Sequence, residues 1–370
     1  MQASTRPSGG ASICAKTTNW TPTRSPRSST KRCASTAAEV PPSHGQWKSE
    51  AVDAQLSIAD VDAASTRTAG AVRPVAVAAA DESTFLALEF LQHTGTFKAR
   101  GAWNFLRAHR DAGALPVEGV TIASGGNAGL ACAWAAARHE VPATVFVPAN
   151  APRVKVDRLR GYGADVRAVG ADYAEAVAAC QDFAATSGAL LSHAYDHPLI
   201  AAGAGTLMQE ILGRLPDLDV VVVAVGGGGL FAGIATVAGH HGVTTIAVEP
   251  ERCRALNAAI EAGRPVDVTI DSVAADSLGA RRASMLALRA AQRDDVHSVT
   301  VPDADIVRAR QDLWEERRIV VEHAAATALA GLRSPEVAHL VKGKTTCVIL
   351  CGANTDPTDL VATRVVGTPV

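Results

Sequence analysis

A chain of 370 residues, 48% of them hydrophobic, carries enough apolar material for one large domain or two modest ones around buried cores. Its 35 Lys plus Arg and 37 Asp plus Glu nearly cancel, so no net field favours nucleic acid or an anionic membrane surface, and a small molecule is the expected partner. The seven cysteines are scattered without a Cys-x-x-Cys pair, which argues for reduced thiols and against a structural zinc, and no run approaches the roughly 20 apolar residues that span a bilayer.

In chain order, residues 1–38 hold six Lys or Arg, no Asp or Glu, and many Ser, Thr and Pro. That is too little apolar material to offset the entropy of ordering, and residues 1–51 read as a disordered tail. The tail also has the composition of an organelle transit peptide, but it lacks an amphipathic apolar face, and the Ala- and Arg-rich body suggests a GC-rich bacterial genome. A plain tail or a misplaced start, on a cytoplasmic protein, is the favoured reading. Beyond it, short apolar runs alternate with Ala- and Leu-rich stretches, the pattern of a parallel sheet wrapped by helices, so the expected fold class is α/β. Residues 120–124 read as a strand, 128–138 as a helix, 143–147 as a strand, 153–161 as a helix and 165–169 as a strand, a compact βαβ subdomain. A second centre follows, with strand 219–225, turn 226–229, helix 230–240 and strand 244–248. The final strand, 345–350, is bounded by Cys351-Gly352-Ala353-Asn354, and residues 365–370 form a short tail.

Three segments carry chemistry. In Thr94-Gly95-Thr96-Phe97-Lys98-Ala99-Arg100-Gly101 a lysine follows what reads as an exposed polar turn, at the start of a helix. A lysine becomes a nucleophile or base when burial or a cationic neighbour lowers its pKa, and Arg100 is the neighbour at hand; taken alone, such a lysine is more often a solvated charge. Ser124-Gly125-Gly126-Asn127-Ala128-Gly129 presents backbone N–H groups and two short polar side chains at a helix start, where a carboxylate or phosphate is favoured. Gly226-Gly227-Gly228-Gly229-Leu230 does the same after a more apolar strand, and four consecutive glycines imply a backbone wrapped closely around something. Either turn alone is equally consistent with a tight strand-to-helix connection. Glu249, ending the next strand, raises the alternative of a dinucleotide site, but no Gly-x-Gly-x-x-Gly register passes through the tetraglycine and no Gly-Lys-Ser or Gly-Lys-Thr follows. A compact monophosphate fits better.

Together with Cys351-Gly352-Ala353-Asn354, these motifs resemble, in order, those of the fold-type II pyridoxal 5'-phosphate enzymes, and within them the threonine and serine dehydratases. The resemblance covers roughly residues 52–364. It implies two open, twisted, mostly parallel sheets flanked by helices, with a small substrate-loop domain (119–196) inserted into a large cofactor domain (52–118 and 197–364). It implies that Lys98, beside Phe97, holds the cofactor as a Schiff base and later takes the α-proton. Gly226, Gly227, Gly228, Gly229 and Leu230 would bind the phosphate, and Asn127 would approach the ring's 3'-oxygen. Ser124, Gly125, Asn127 and Ala128 would meet the substrate carboxylate, and Cys351 would donate weakly to the pyridine nitrogen. A hydroxy-amino acid such as L-threonine or L-serine would then lose water and ammonia to give 2-oxobutanoate or pyruvate, in a homodimer or higher homo-oligomer.

The chain departs from the family pattern in places. Relatives that racemise serine carry a serine after the position of Ser124; Gly125 has no proton to exchange, so negligible racemisation is expected. The divalent-cation site of some relatives pairs a glutamate matching Glu249 with an aspartate replaced here by Ala255, so no metal is expected. Ala275-Asp276-Ser277-Leu278 resembles an Ala-Asp-Gly-Leu stretch near the substrate, with serine for glycine, which leaves substrate choice open. Glu322, in a segment resembling the family's Glu-Pro-Ser-Gly without its proline, is a candidate site residue or, equally, a helix N-terminal carboxylate. The rival readings are another enzyme of the same fold, such as a β-replacement synthase, a threonine synthase or a compatible-solute-pathway dehydratase, and a non-catalytic cofactor-binding regulator.

Overall fold

Five apolar residues, Val220–Ala224, form a strand (β7) buried along its whole length, as a parallel strand covered by helices on both faces must be. The computed structural model, which describes residues 55–362, places β7 inside a six-stranded sheet. The tails read at 1–51 and 365–370 lie outside the described residues. Across the sheet run Val77–Ala79 (β1), Thr84–Ala87 (β2), Thr346–Ile349 (β10), β7, Thr244–Pro250 (β8) and Val296–Val301 (β9). Only the β1–β2 pair is antiparallel. A second sheet, all parallel, orders Asp165–Ala168 (β5), Ala143–Val147 (β4), Val120–Ala123 (β3) and Leu190–Leu191 (β6). This is the α/β architecture that the alternation of runs implies, and the expected elements stand within two residues of their observed ends.

Each sheet has its own apolar core: one built on β7, β8 and β10, the other on β3 and β4 with the helices Lys98–Asp111 and Asn127–Arg138. Small residues bring three helices backbone to backbone. A Cβ added at Gly101 would lie 2.7 Å from the carbonyl oxygen of Ile200, and one at Gly203 would lie 2.7 Å from that of Arg100. Gly205 meets Gly233 in the same way. The helices Lys98–Asp111, Pro198–Arg214 and Gly229–His240 therefore stack at a spacing only glycine permits, and this stacking brings the start of the lysine helix beside the start of the tetraglycine helix.

Candidate active site

Lys98 opens its helix, and its amine is enclosed, with Nζ donating to the carbonyl oxygen of Ala194 at 2.7 Å and standing 4.9 Å from the centre of the Phe97 ring. Burial lowers its pKa to about 8, against the opposing pull of Cys351 and Glu322. Arg100 plays no part in that shift. Its guanidinium is fully buried between Glu89 (2.7 Å) and Glu210 (2.7 Å), with Thr206 as a further acceptor, so it is a neutralised structural cation. The turn before Lys98 is also not exposed as expected. Thr94 and Thr96 are buried because Thr96 forms a β-bridge with Gly352 and the carbonyl of Thr94 accepts from Asn354 Nδ2 at 2.7 Å.

The tetraglycine joins β7 to the helix Gly229–His240, with Gly228 at φ +93°. A side chain at Gly227 would run into the ring of Tyr195, one at Gly228 into Ala287, and one at Gly229 would lie 2.7 Å from the carbonyl oxygen of Tyr195. The N–H groups of Gly226, Gly227 and Gly228 donate to no group among the described residues, and the helix start beside them adds its own free donors. Tyr195 thus forms the outer wall of the cradle, its hydroxyl donating to the carbonyl of Arg282 at 3.1 Å and its pKa pushed up to about 12 chiefly by burial. His193 accepts from the N–H groups of Tyr195 (3.2 Å) and Asp196 (2.8 Å), and burial lowers its pKa, with Lys98 adding to the effect.

Opposite the lysine lies a carboxylate node. Glu322, 5% exposed, accepts from Asn127 Nδ2 at 2.9 and 3.1 Å, from Ser277 Oγ at 2.6 Å and from the Asn354 N–H at 2.8 Å. Asn127 Oδ1 in turn accepts from Asn354 Nδ2 at 2.8 Å. Both halves of the Asn127 amide are therefore held; Glu322 stands as N-cap residue of the helix His323–Leu332, but its side chain faces Asn127 and makes no cap hydrogen bond. Cys351 is buried, with a pKa pushed up to about 12 by burial and by Glu322, so it is a neutral S–H donor.

Ser124 directly follows β3 and its Oγ accepts from the Gly126 N–H at 3.4 Å, while Asn127 and Ala128 begin the helix. Gly125 sits against β4: a Cβ added there would lie 3.3 Å from Val147 Cγ1, so a side chain would need that valine to give way slightly. Phe97, Lys98, Gly229 and Leu230 line one small pocket with Ala194, Tyr195 and Ile200. Glu249 lies elsewhere: its two oxygens accept from the N–H groups of Leu256 (2.8 Å) and Asn257 (2.7 Å), and no group of three or more His, Cys, Asp or Glu able to hold a metal occurs among the described residues. Sequence reasoning missed Ala194, Tyr195 and His193, whose segment has no glycine turn or motif to mark it.

A half-buried lysine with a depressed pKa, a glycine cradle with unused N–H groups and a neutral thiol nearby form a set that fits pyridoxal phosphate. The model of the family described as "Pyridoxal-phosphate dependent enzyme" matches residues 73–352. The chain belongs to that family. It is 39% identical over 272 residues to an L-threonine ammonia-lyase of Geobacter sulfurreducens, covering 72% of this chain and 66% of that protein. It is 36% identical over 282 residues to a human serine dehydratase-like protein, covering 73% of this chain and 84% of that one. The structure of maize serine racemase superposes with a TM-score of 0.78 at 27% identity, covering 84% of this chain and 97% of that one. The chain spans between about half and two thirds of the length of several bacterial threonine-dehydrating relatives that it matches. No helix among the described residues is long and apolar enough to cross a membrane.

Proposed function

We propose that this protein is a dehydratase that converts L-threonine or L-serine to the 2-oxo acid and ammonia by β-elimination of water. The observation that carries the reading is an enclosed lysine amine of pKa about 8 near a neutral buried thiol, Cys351, where a carboxylate would pair with a protonated ring nitrogen. The names of the relatives support the same reaction class. Bound pyridoxal phosphate supplies the electron sink that makes the α-proton removable and the β-hydroxyl a leaving group. Gly226 to Gly229 and Leu230 would hold its phosphate through N–H groups, those of Gly226, Gly227 and Gly228 being unused among the described residues. Lys98 would anchor it and would be the base positioned for the α-proton; burial, which lowers the amine's pKa to about 8 in the cofactor-free protein, favours the uncharged form that both roles need. Ser124 Oγ and the N–H groups of the following glycines would orient the substrate carboxylate, and Asn127, fixed by Glu322 and Asn354, would be the residue beside the cofactor's 3'-oxygen. Gly125 supplies no proton from the opposite face, so D-serine does not form.

In this reading residues 119–196 form the domain that carries the substrate loop, residues 52–118 and 197–364 form the cofactor domain, and the protein is a cytoplasmic homo-oligomer. The test offers purified protein L-threonine, L-serine and 3-hydroxyaspartate in parallel. Equal amounts of 2-oxo acid and ammonia are expected, with no D-serine from L-serine. A protein that binds cofactor yet releases neither product would be a synthase or a regulator instead.

A further inference from the structure

The segment Ser192 to His197 joins the short strand β6 to the helix Pro198–Arg214 and meets the site at two points. The carbonyl oxygen of Ala194 receives the Lys98 amine at 2.7 Å, and Tyr195 packs so closely on the tetraglycine that a Cβ at Gly227 would overlap its ring. Both ends of the segment are pinned. The Ser192 N–H donates to the Thr121 carbonyl at 2.8 Å, and His197 caps the helix by accepting from the Leu199 N–H at 3.1 Å. Between those ends, among the described residues, one side chain holds the backbone: His193 Nδ1 accepts from the N–H groups of Tyr195 (3.2 Å) and Asp196 (2.8 Å). Its ring also meets the Tyr195 ring edge-on, with centroids 5.0 Å apart. Accepting two N–H donors requires that Nδ1 carry no proton, so the ring is neutral with its hydrogen on Nε2.

We propose that His193 is a positioning residue for Lys98 and the glycine cradle: its unprotonated Nδ1 folds the turn that offers the Ala194 carbonyl to the amine and the Tyr195 ring to Gly227 and Gly229. The arrangement is that of an Asx turn, in which a short side chain accepts from the backbone two residues on, with an imidazole nitrogen in place of the amide oxygen. Protonation would turn Nδ1 into a donor facing two donors, and the turn would lose its acceptor. The charged groups that face the ring are Lys98, from the lysine helix, and Asp196 of the turn itself. Desolvation holds the ring's pKa below the ordinary 6.5, with Asp196 opposing and Lys98 adding to the effect. The turn is therefore intact at neutral pH and gives way in acid, and retention of the cofactor follows it. The inference rests on Lys98 as the cofactor lysine and not on which reaction follows.

The experiment compares wild type with His193→Asn, which keeps an acceptor on the same branch of the side chain and does not titrate, and with His193→Ala, which has none. Pyridoxal phosphate is titrated into the stripped full-length proteins at pH 8 and pH 5 and read by visible absorbance, with urea midpoints of the stripped proteins alongside. At pH 8 His193→Asn should bind within about threefold of wild type and His193→Ala about tenfold more weakly, the weight of one net hydrogen bond. Lys98 and the phosphate titrate in all three proteins, so differences between them isolate the histidine. From pH 8 to pH 5 the wild type should lose at least about threefold more affinity than His193→Asn and move toward His193→Ala. The urea midpoints should repeat that order without cofactor. The folded histidine titrates below the unfolded one, so its contribution is complete above pH 6.5 and is lost as pH falls through the folded value. The proposal is overturned if His193→Ala matches wild type at pH 8, if His193→Asn binds as weakly as His193→Ala there, or if His193→Asn follows wild type across the pH range. Midpoints in the expected order with no cofactor uptake by wild type would instead overturn Lys98 as the cofactor lysine and leave the turn supported.

Discussion

Removing the carboxylate of Glu322 separates two roles that the site assigns to it, charge and geometry. In Glu322→Ala, the Asn127 amide, the Ser277 hydroxyl and the Asn354 N–H all lose their acceptor in a setting where the glutamate is only 5% exposed. At about 1 kcal/mol for each donor left unsatisfied, the variant should lose about 3 kcal/mol of stability, and the freed Asn127 should lower kcat/KM by about a hundredfold, the usual cost of a misplacement near 1 Å. Glu322→Gln keeps the shape. Its amide oxygen can continue to accept from Asn127 and Asn354 where Oε1 does now, and the Ser277 hydroxyl can turn to accept from the new NH2 in place of donating to Oε2. It should therefore lose only about 1 kcal/mol and retain activity within about tenfold. Urea midpoints and 2-oxo acid production measure both. If the glutamine variant falls as far as the alanine variant, negative charge matters here and the positioning argument is wrong.

Gly227→Ala should drive its methyl into the Tyr195 ring, costing about 1–3 kcal/mol and most of the bound cofactor, read from the melting temperature and the visible absorbance of purified protein. Arg100→Met should cost about 3–5 kcal/mol, because Glu89, whose pKa burial already raises, is left buried without its partner; adding Glu89→Gln should recover much of that loss in urea unfolding. In cofactor-free protein, folded Lys98 releases its proton near pH 8 while the unfolded chain keeps its own to 10.5. The unfolded state then binds more protons, so stability should rise with pH across that window, and Lys98→Met should remove this component from the urea midpoint measured between pH 7.5 and 10.

What the sequence made legible is local. The strands before both glycine turns, the helices after them and the lysine at a helix start follow from apolar runs and glycine clusters within a dozen residues, and the structure places them within two residues of expectation. What it hid is assembled over long separations. The donors to Glu322 lie 195, 45 and 32 residues away along the chain, so no spacing could reveal the node, although the serine at position 277 was a visible departure. Arg100 looked like a cationic neighbour of Lys98 although one of its two neutralising partners, Glu89, is only 11 residues away; the other, Glu210, is 110 residues distant, and neither spacing marks an ion pair in the sequence. The polar turn at Thr94–Thr96 looked exposed because the β-bridge from Thr96 to Gly352 and the Asn354 amide that bury it come from the far end of the chain.

The central claim is that Lys98 carries the cofactor, and covalent capture tests it most directly. Holoenzyme reduced with borohydride and digested should yield a single phosphopyridoxyl-modified peptide, with the modification on Lys98, and Lys98→Ala should yield none while also losing 2-oxo acid production. Modification of a different lysine, or turnover that survives in Lys98→Ala, would contradict the account.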